Sequence, residues 1–269
     1  MSPEINDRIK QAIINKEPLS FGKMGNVEFS HLAQFLNGDN VSLVGYTLFV
    51  NAGIFTPSYE SLLDWCAEYY RAVVNLDYIL QWHPDDKHFV ENNFPNRRIF
   101  NSFQGLEPFV FGKDGWHHSL SDKKVLCVSP FSKTVKMQSE KFSKIWNGAS
   151  IGHVETVTSP NSEALTGQNP TPWNEKVNHM IEQIKEKDFD FATVGCGGAS
   201  LLICDFIKNS MGKPCVHLGG GNQILYGIRG RRWDEGFKDK EWYGTEHWVR
   251  PSAEEVPQNN HLVEGGCYW

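Results

Sequence analysis

The fold is decided by residues 188–233, which read DFDFATVGCGGASLLICDFIKNSMGKPCVHLGGGNQILYGIRGRRW. Two short apolar runs, 189–194 and 215–218, flank an apolar helical segment that Gly212 and Pro214 bring to an end. Each run is followed at once by a cluster of glycines. This order of strand, loop, helix and strand predicts a βαβ unit. Ligands of such units usually bind beyond the carboxyl ends of the strands, so both glycine clusters are candidate binding loops.

The same alternation extends upstream of this unit. Apolar runs at 124–128 and 151–157 predict strands, and the spacing of apolar residues predicts helices at 134–146 and 173–187. A polar stretch at 159–172 predicts a loop. Residues 123–218 thus form a β-α-β-α-β-α-β series. This series predicts an α/β, Rossmann-like fold with a mainly parallel sheet flanked by helices on both faces.

The N-terminal half follows a similar pattern less regularly. Apolar residues at helical spacing within 5–13 predict a first helix. A second helix is expected to begin at Glu28, with Asn26 as its N-cap, and to end at Gly38. The other elements expected in this half are strands at 41–50, 76–82 and 97–102 and a helix at 57–74.

The whole chain, 1–269, is predicted to be a single domain. It has a looser N-terminal half at 1–115 and a regular α/β half at 116–233. Within the first half, residues 85–115 are rich in Asn, Pro and aromatic side chains, which makes them a candidate boundary or lid. The tail at 234–269 has no clear periodicity, and we expect it to wrap over the surface or to close a site.

Composition narrows the class of protein. The net charge is −6 and the basic residues are scattered, which disfavours nucleic acid as a partner. No stretch approaches the roughly 20 apolar residues of a membrane span, and the N-terminus lacks the apolar core of a signal peptide. The six cysteines form no CxxC pair. Free thiols that lie in apolar runs predict a reducing compartment and hence a cytoplasmic protein.

Three strand-to-helix junctions carry candidate anion sites. In 195–200, GCGGAS, the glycines would let backbone amides approach a phosphate, although a tight packing turn would also need them. A dinucleotide site would need an acidic residue after the next strand, where Leu218 and two glycines stand, so NAD chemistry is disfavoured. In 129–138, SPFSKTVKMQ, hydroxyls and a lysine could hold an anion or simply begin a helix. In 219–233 three arginines could bind an acidic ligand or lie in solvent.

The turn at 22–28, GKMGNVE, places a cation, a carboxamide and a carboxylate close together. Asn26 and Glu28 are two residues apart, so a turn could aim both at a metal-bound diphosphate. Oxygen ligands of this kind suit Mg²⁺ or Mn²⁺. The alternative is a helix start, with Glu28 in the first turn, where the helix dipole favours a carboxylate.

Taken in their order along the chain, these motifs resemble those of the GT-D-type glycosyltransferases, a fold group first defined by a domain of unknown function. That family opens with a segment like R-F-G-D-G-E, whose D-x-E pair serves the metal and the nucleotide-sugar diphosphate. Here Lys23 stands for its arginine and Asn26 for its first carboxylate. The likeness extends from about Phe21 to the end of the chain. Its other matches are Ser129-Pro130-Phe131, Lys136, Gln138, Gly195 to Ser200, Gly212-Lys213-Pro214, His217, Gly219, Gly220, Gln223 to Trp233, Glu246-His247-Trp248 and Cys267-Tyr268-Trp269.

The resemblance implies a transferase that moves a sugar from a nucleotide-diphosphate donor, a UDP-sugar first of all, to a glycan or glycoconjugate hydroxyl, as in polysaccharide biosynthesis. It implies catalytic roles for Glu28, Asn26 and Lys23, and a Mn²⁺ or Mg²⁺ ion held by Glu28 and Asn26. The donor-binding residues that it implies are Gly25, Ser129, Ser132, Lys136, Gly197, Gly198, His217, Gly220 and Gln223. Two alternatives stay open: a non-catalytic nucleotide- or glycan-binding protein of the same fold, and a transferase that uses another phosphorylated donor.

Overall fold

A computed structural model describes residues 3–39, 45–160 and 170–269 of the chain. Its strands are β1 Ser20–Gly22, β2 Tyr78–Leu80, β3 Ile99–Phe100, β4 Lys124–Ser129, β5 His153–Thr158, β6 Phe191–Val194 and β7 Cys215–His217. They form one sheet in the order β3-β2-β1-β7-β6-β4-β5, and every pairing within it is parallel. The predicted α/β, Rossmann-like fold is confirmed.

Helices cover both faces of this sheet. Their bounds in the described residues are α1 Pro3–Asn15, α2 Asn26–Asn37, α3 Gly45–Ala52, α4 Tyr59–Asn75, α5 Asp86–Asn93, α6 Ser132–Ser139, α7 Phe142–Ile145, α8 Trp173–Lys185, α9 Ser200–Met211, α10 Gly221–Leu225 and α11 Arg231–Gly236. None of them combines the length and the apolar character that a bilayer crossing requires.

The sheet divides the interior into two apolar cores. Side chains alternate between the faces of a strand, so Val125 and Cys127 enter one core whereas Leu126 and Val128 enter the other. Helices α2, α4, α8 and α9 pack on the face that receives Leu126. Helices α1, α6 and α10 pack on the opposite face. Both halves of the chain contribute strands to the same sheet.

The connections that follow the neighbouring strands β1 and β7 run to opposite faces of the sheet. The loop after β1 leads to α2 on one face, whereas the loop after its neighbour β7 leads to α10 on the other face. Diverging loops leave a crevice at the carboxyl ends of two such strands, and open α/β sheets bind their ligands in that crevice. The fold therefore predicts a ligand site at the carboxyl ends of β1 and β7.

Several predicted elements of the N-terminal half differ in the structure. The strand expected at 41–50 is wrong, because 45–52 is the helix α3 and 41–44 lie outside the described residues. Helix α2 begins at Asn26, so its N-cap is Gly25 and not Asn26. The segment 85–115 is not a detached lid, since Leu106 and Phe109 are buried in a core.

One prediction for the regular half also needs correction, and another cannot be followed along its whole length. The helix expected at 134–146 is divided into α6 and α7, with a break at residues 140–141. Of the polar stretch at 159–172, residues 161–169 lie outside the described part of the chain. The remaining strands and helices of this half lie where the sequence predicts them, within a few residues at their ends.

Candidate functional site

A cavity of about 180 Å³ opens at the β1–β7 crevice. Loops that follow β1, β2, β4, β6 and β7 meet there, so the carboxyl edge of the sheet supplies most of its wall. It brings together nine residues that the sequence singles out: Lys23, Gly25, Asn26, Glu28, Ser129, Gly197, His217, Gly220 and Gln223.

Three other predicted donor-binding residues do not line this cavity. Ser132 is buried, and its hydroxyl lies 2.6 Å from that of Thr158. Lys136 is exposed on α6. Gly198 faces the apolar core, where an added Cβ would lie 2.6 Å from a side-chain carbon of Ile54. Ser132 thus makes a hydroxyl contact, Lys136 is a cation in solvent, and Gly198 allows two elements of the chain to approach closely.

The two glycine clusters touch each other. A Cβ on Gly195 would lie 2.5 Å from the carbonyl oxygen of Gly219, and one on Gly197 would lie 2.4 Å from that of Ala52. Gly197 also has a φ of +61°, a backbone conformation that residues other than glycine rarely adopt. The glycines therefore let backbone from β6, β7 and α3 converge at one side of the cavity.

Gly195→Ala is expected to separate the two loops. Backbone atoms cannot yield as a flexible side chain can, so we expect a loss of about 1–3 kcal/mol in the free energy of unfolding. Urea unfolding measures it. The matched control is Gly236→Ala, because an added Cβ meets nothing within 4 Å there. Equal stability of the Gly195 variant and its control would show that the two loops are not in contact.

Lys23 is a buried cation at the floor of the site, with 8% of its surface exposed. Its Nζ lies 3.7 Å from the ring centre of Trp82 and 4.4 Å from that of Phe103. Burial is the main cause that lowers the pKa of Lys23, to about 8, while the carboxylate of Glu107 opposes the shift. Burial likewise raises the pKa of Glu107, to about 7. An ammonium held by aromatic faces and little hydrated is ready to pair with an anionic ligand.

His217 lies beside Lys23 and is neutral. Its Nδ1 is 3.1 Å from the carbonyl oxygen of Lys23. Because a carbonyl oxygen can only accept, Nδ1 carries the proton in this contact. Burial and the nearby Lys23 cation lower the pKa of His217 to about 3. The ring therefore leaves Nε2 as a hydrogen-bond acceptor, and His217 lines the cavity.

Glu28 places a carboxylate in the first turn of α2. The Gly25 backbone makes room for it, since a Cβ at Gly25 would lie 2.3 Å from Oε2 of Glu28. Burial raises the pKa of Glu28, opposed by its own backbone amide and by the cation of Lys23. A desolvated carboxyl with a raised pKa beside a cation is typical of a group that exchanges protons with a substrate.

The donors available for a metal ion are few. Among the described residues there is no group of three or more His, Cys, Asp or Glu side chains that could hold one. Asn26 and Glu28, which the resemblance implies as oxygen ligands, both line the cavity, and Asn26 is exposed. Mg²⁺ is commonly bound through one or two carboxylates and the phosphates of its substrate. The residues therefore fit an ion that arrives with a diphosphate rather than a resident ion.

Two neighbouring carboxamides under the cavity have fixed orientations. The nitrogen of Asn222 donates to the carbonyl of Val128, and that of Gln223 donates to the carbonyls of Ile228 and Tyr268. Only the NH₂ end can face a carbonyl, so the two oxygens point away from these partners. Within the described residues neither oxygen has a hydrogen-bond partner. Asn222 is a cavity residue that the sequence did not single out.

The C-terminal tail forms another wall of the cavity, although none of its residues was among the predicted site residues. Glu264, Tyr268 and Trp269 line it together with Arg232 of α11. Backbone bonds hold the tail in place, from the amide of Arg232 to the carbonyl of Cys267 and from the amide of Arg231 to that of Trp269. In the sequence, the tail was expected to wrap over the surface or to close a site, and Tyr268 and Trp269 belong to a match of the resemblance, but neither observation assigned a role to Glu264.

Comparison with known proteins gives no match: no family model, no curated protein and no solved structure matches this chain.

Proposed function

We propose that this chain is a glycosyltransferase that moves a sugar from a nucleotide-diphosphate donor to a hydroxyl of a glycan or glycoconjugate. One observation carries the proposal: a buried lysine, an arginine, two glycine loops and a desolvated glutamate surround one cavity at the switch point of the sheet. A donor of this kind combines a diphosphate with a reacting sugar carbon, so it needs cations and a proton acceptor side by side.

The diphosphate would lie between Lys23, Arg232 and the glycine loops. Backbone amides of such loops bind phosphate oxygens, and both cations would balance the charge that grows on the leaving group. Aromatic rings of Trp82, Tyr268 and Trp269 line the same cavity and offer flat surfaces for the base or for a sugar ring.

Glu28 is the residue proposed to accept the proton. The oxygen of the acceptor hydroxyl bonds to the anomeric carbon of the donor, and the bond from that carbon to the diphosphate breaks. The diphosphate leaves with the electron pair, and the hydroxyl proton passes to Glu28. Nε2 of neutral His217 can accept a hydrogen bond from a substrate hydroxyl and so orient it.

A Mn²⁺ or Mg²⁺ ion that enters with the donor would be held by Glu28 and Asn26 and would screen the charge of the departing diphosphate. Glu28 would then be a metal ligand, so its role as proton acceptor belongs to the site without a metal ion. The protein supplies Lys23 and Arg232 for the same purpose, so we propose that the cations of the chain carry most of this role.

Donor binding is expected to take up a proton at alkaline pH. The pKa of Lys23 is lowered to about 8 in the free protein, and an anion in the cavity favours the ammonium, which raises it again. Above about pH 8 the free lysine has lost its proton and the bound one regains it, so affinity falls as the pH rises. Glu107, Arg232 and Glu28 are the charged groups that act on Lys23.

Calorimetry with UDP at about pH 9, in two buffers of different ionisation enthalpy, measures this uptake. We expect up to about one proton per molecule bound. Lys23→Met should remove the uptake; an unchanged uptake in that variant would assign it to another group.

A thermal-shift panel of UDP-, GDP- and TDP-sugars, with and without Mn²⁺, tests the proposal itself. A donor present at about 100 times its dissociation constant adds about 2.7 kcal/mol to the stability of the folded protein, which raises the melting temperature by several degrees. At least one donor should do so. Absence of any shift across the panel would reject the proposed substrate class.

A non-catalytic nucleotide-binding protein is the second candidate. The exposed carboxamide of Asn26, where the resemblance leads one to expect a carboxylate, favours it. Such a protein would give the same thermal shifts without consuming the donor.

A further inference from the structure

One wall of the cavity already holds an anion, and that anion belongs to the chain. Arg232 and Glu264 form an ion pair, and both line the cavity. Their side chains are 35% and 49% exposed, so water and small solutes reach the pair. An ion pair that is open to solvent contributes little to stability, so another anion can replace the carboxylate at little cost.

Arg232 is held in position by groups other than Glu264. Its guanidinium carbon lies 5.0 Å from the ring centre of Tyr268, and Nη1 lies 3.5 Å from the hydroxyl of that tyrosine. Its backbone amide donates to the carbonyl of Cys267 at 3.0 Å. The N–H donors of the Arg232 guanidinium therefore stay in place when another anion replaces the carboxylate of Glu264.

Glu264 is held in a less favourable way. Its φ is +46°, which is uncommon for a residue with a side chain, and Gly265 and Gly266 follow with φ of +70° and +80°. Apart from Arg232, its carboxylate accepts a weak hydrogen bond from Sγ of Cys267, at 3.4 Å. Three successive residues in the left-handed region place this carboxylate on the arginine.

We propose that Arg232 is a phosphate subsite of the cavity, in which the carboxylate of Glu264 stands in for the phosphate group until a ligand displaces it. Carboxylate and phosphate both present two oxygens to the guanidinium fork. The inference rests on the proposed function, because it assigns the arginine to the diphosphate of the donor. Glu264 then competes with the ligand and weakens its binding.

Titrations of inorganic pyrophosphate and of UDP at low salt test the subsite. Glu264→Gln should bind both about three- to fivefold more tightly, since it keeps the shape and removes the competing charge. Arg232→Met should bind both at least about tenfold more weakly. In the Arg232→Met background Glu264→Gln should add nothing. The matched control is Glu254→Gln, which removes an exposed charge of the same tail that pairs with Lys133 outside the cavity.

Unchanged or weaker binding by Glu264→Gln would overturn the inference, as would a gain that persists in the Arg232→Met background or that Glu254→Gln reproduces. The melting temperature of each free variant is measured beside the titration, so that a folding defect is recognised. The outcomes separate the two proposals. UDP binding that ignores Glu264 rejects the subsite alone, whereas pyrophosphate binding that responds to Glu264, with no nucleotide sugar bound, rejects the transferase alone.

Discussion

Glu28→Gln should abolish sugar transfer while it leaves the fold and donor binding intact. The substitution keeps the shape of the side chain and removes the group proposed to accept the proton of the acceptor hydroxyl. Loss of a general base lowers turnover by about 10²- to 10⁴-fold. Burial raises the pKa of Glu28, which indicates a carboxylate poorly hydrated in the free protein, so its loss should not destabilise the fold. Turnover of a donor identified by thermal shift measures the effect.

The control for this variant is Glu60→Gln. Glu60 also lies in the first turn of a helix, α4, but it is exposed and does not line the cavity. It should keep full turnover. A Glu28→Gln protein with more than about a tenth of the wild-type rate would be incompatible with a role in proton transfer.

Lys23→Met should weaken donor binding more than any other single change in the site. Methionine keeps an apolar stem against Trp82 and Phe103 but has no charge. Truncating one partner of a buried charge pair costs about 2–5 kcal/mol, so the dissociation constant should rise about 30-fold or more. The free variant should remain folded, because the lost cation is itself costly to bury and Glu107 can take up a proton. Calorimetric titration with UDP measures the loss.

Lys136→Met is the matched control for the lysine. The sequence resemblance implies that Lys136 binds the donor, whereas the structure places it in solvent on α6 and not in the cavity lining. Its loss should leave the affinity for UDP unchanged. A large loss at position 136 and none at 23 would mean that the donor binds elsewhere.

The β-α alternation of 123–218 could be predicted because apolar runs alternate there with helical segments and are bounded by glycines or polar residues. The central strand β1 was not predicted, because Phe21 is the one large apolar side chain among its three residues and it therefore forms no apolar run. Its place is set by pairing with β2 and β7, which are distant in sequence. Residues 45–50 carry the β-branched and aromatic side chains of a strand, yet they form a helix whose carboxyl end packs on Gly197. Tertiary contact overrode local propensity there.

Site residues could be predicted from the sequence mainly where they lie near the junction between a strand and the following helix. Lys23 and Glu28 lie in the glycine-containing segment that follows β1, whereas His217, the last residue of β7, was expected at the site only from the resemblance; the structure brings all three to one cavity. Arg232 was noted as one of three arginines and within the match from Gln223 to Trp233, without a role of its own. Glu264, which lines the cavity, and Glu107, whose charge acts on Lys23, gave no signal, because both lie in irregular segments without a period and the hydrogen bonds that place these segments are long-range.

The most direct test of the proposed transferase is the release of nucleoside diphosphate from the donor that gives the largest thermal shift. Wild-type protein and Glu28→Gln are incubated with it at matched saturation, with water or a glycan acceptor as the nucleophile. We predict that the wild type releases diphosphate and sugar in equal amounts over many turnovers and that the variant does not. A donor that binds to wild-type protein and stays intact, with enzyme in excess and acceptor present, would contradict a transferase and leave a nucleotide-binding protein.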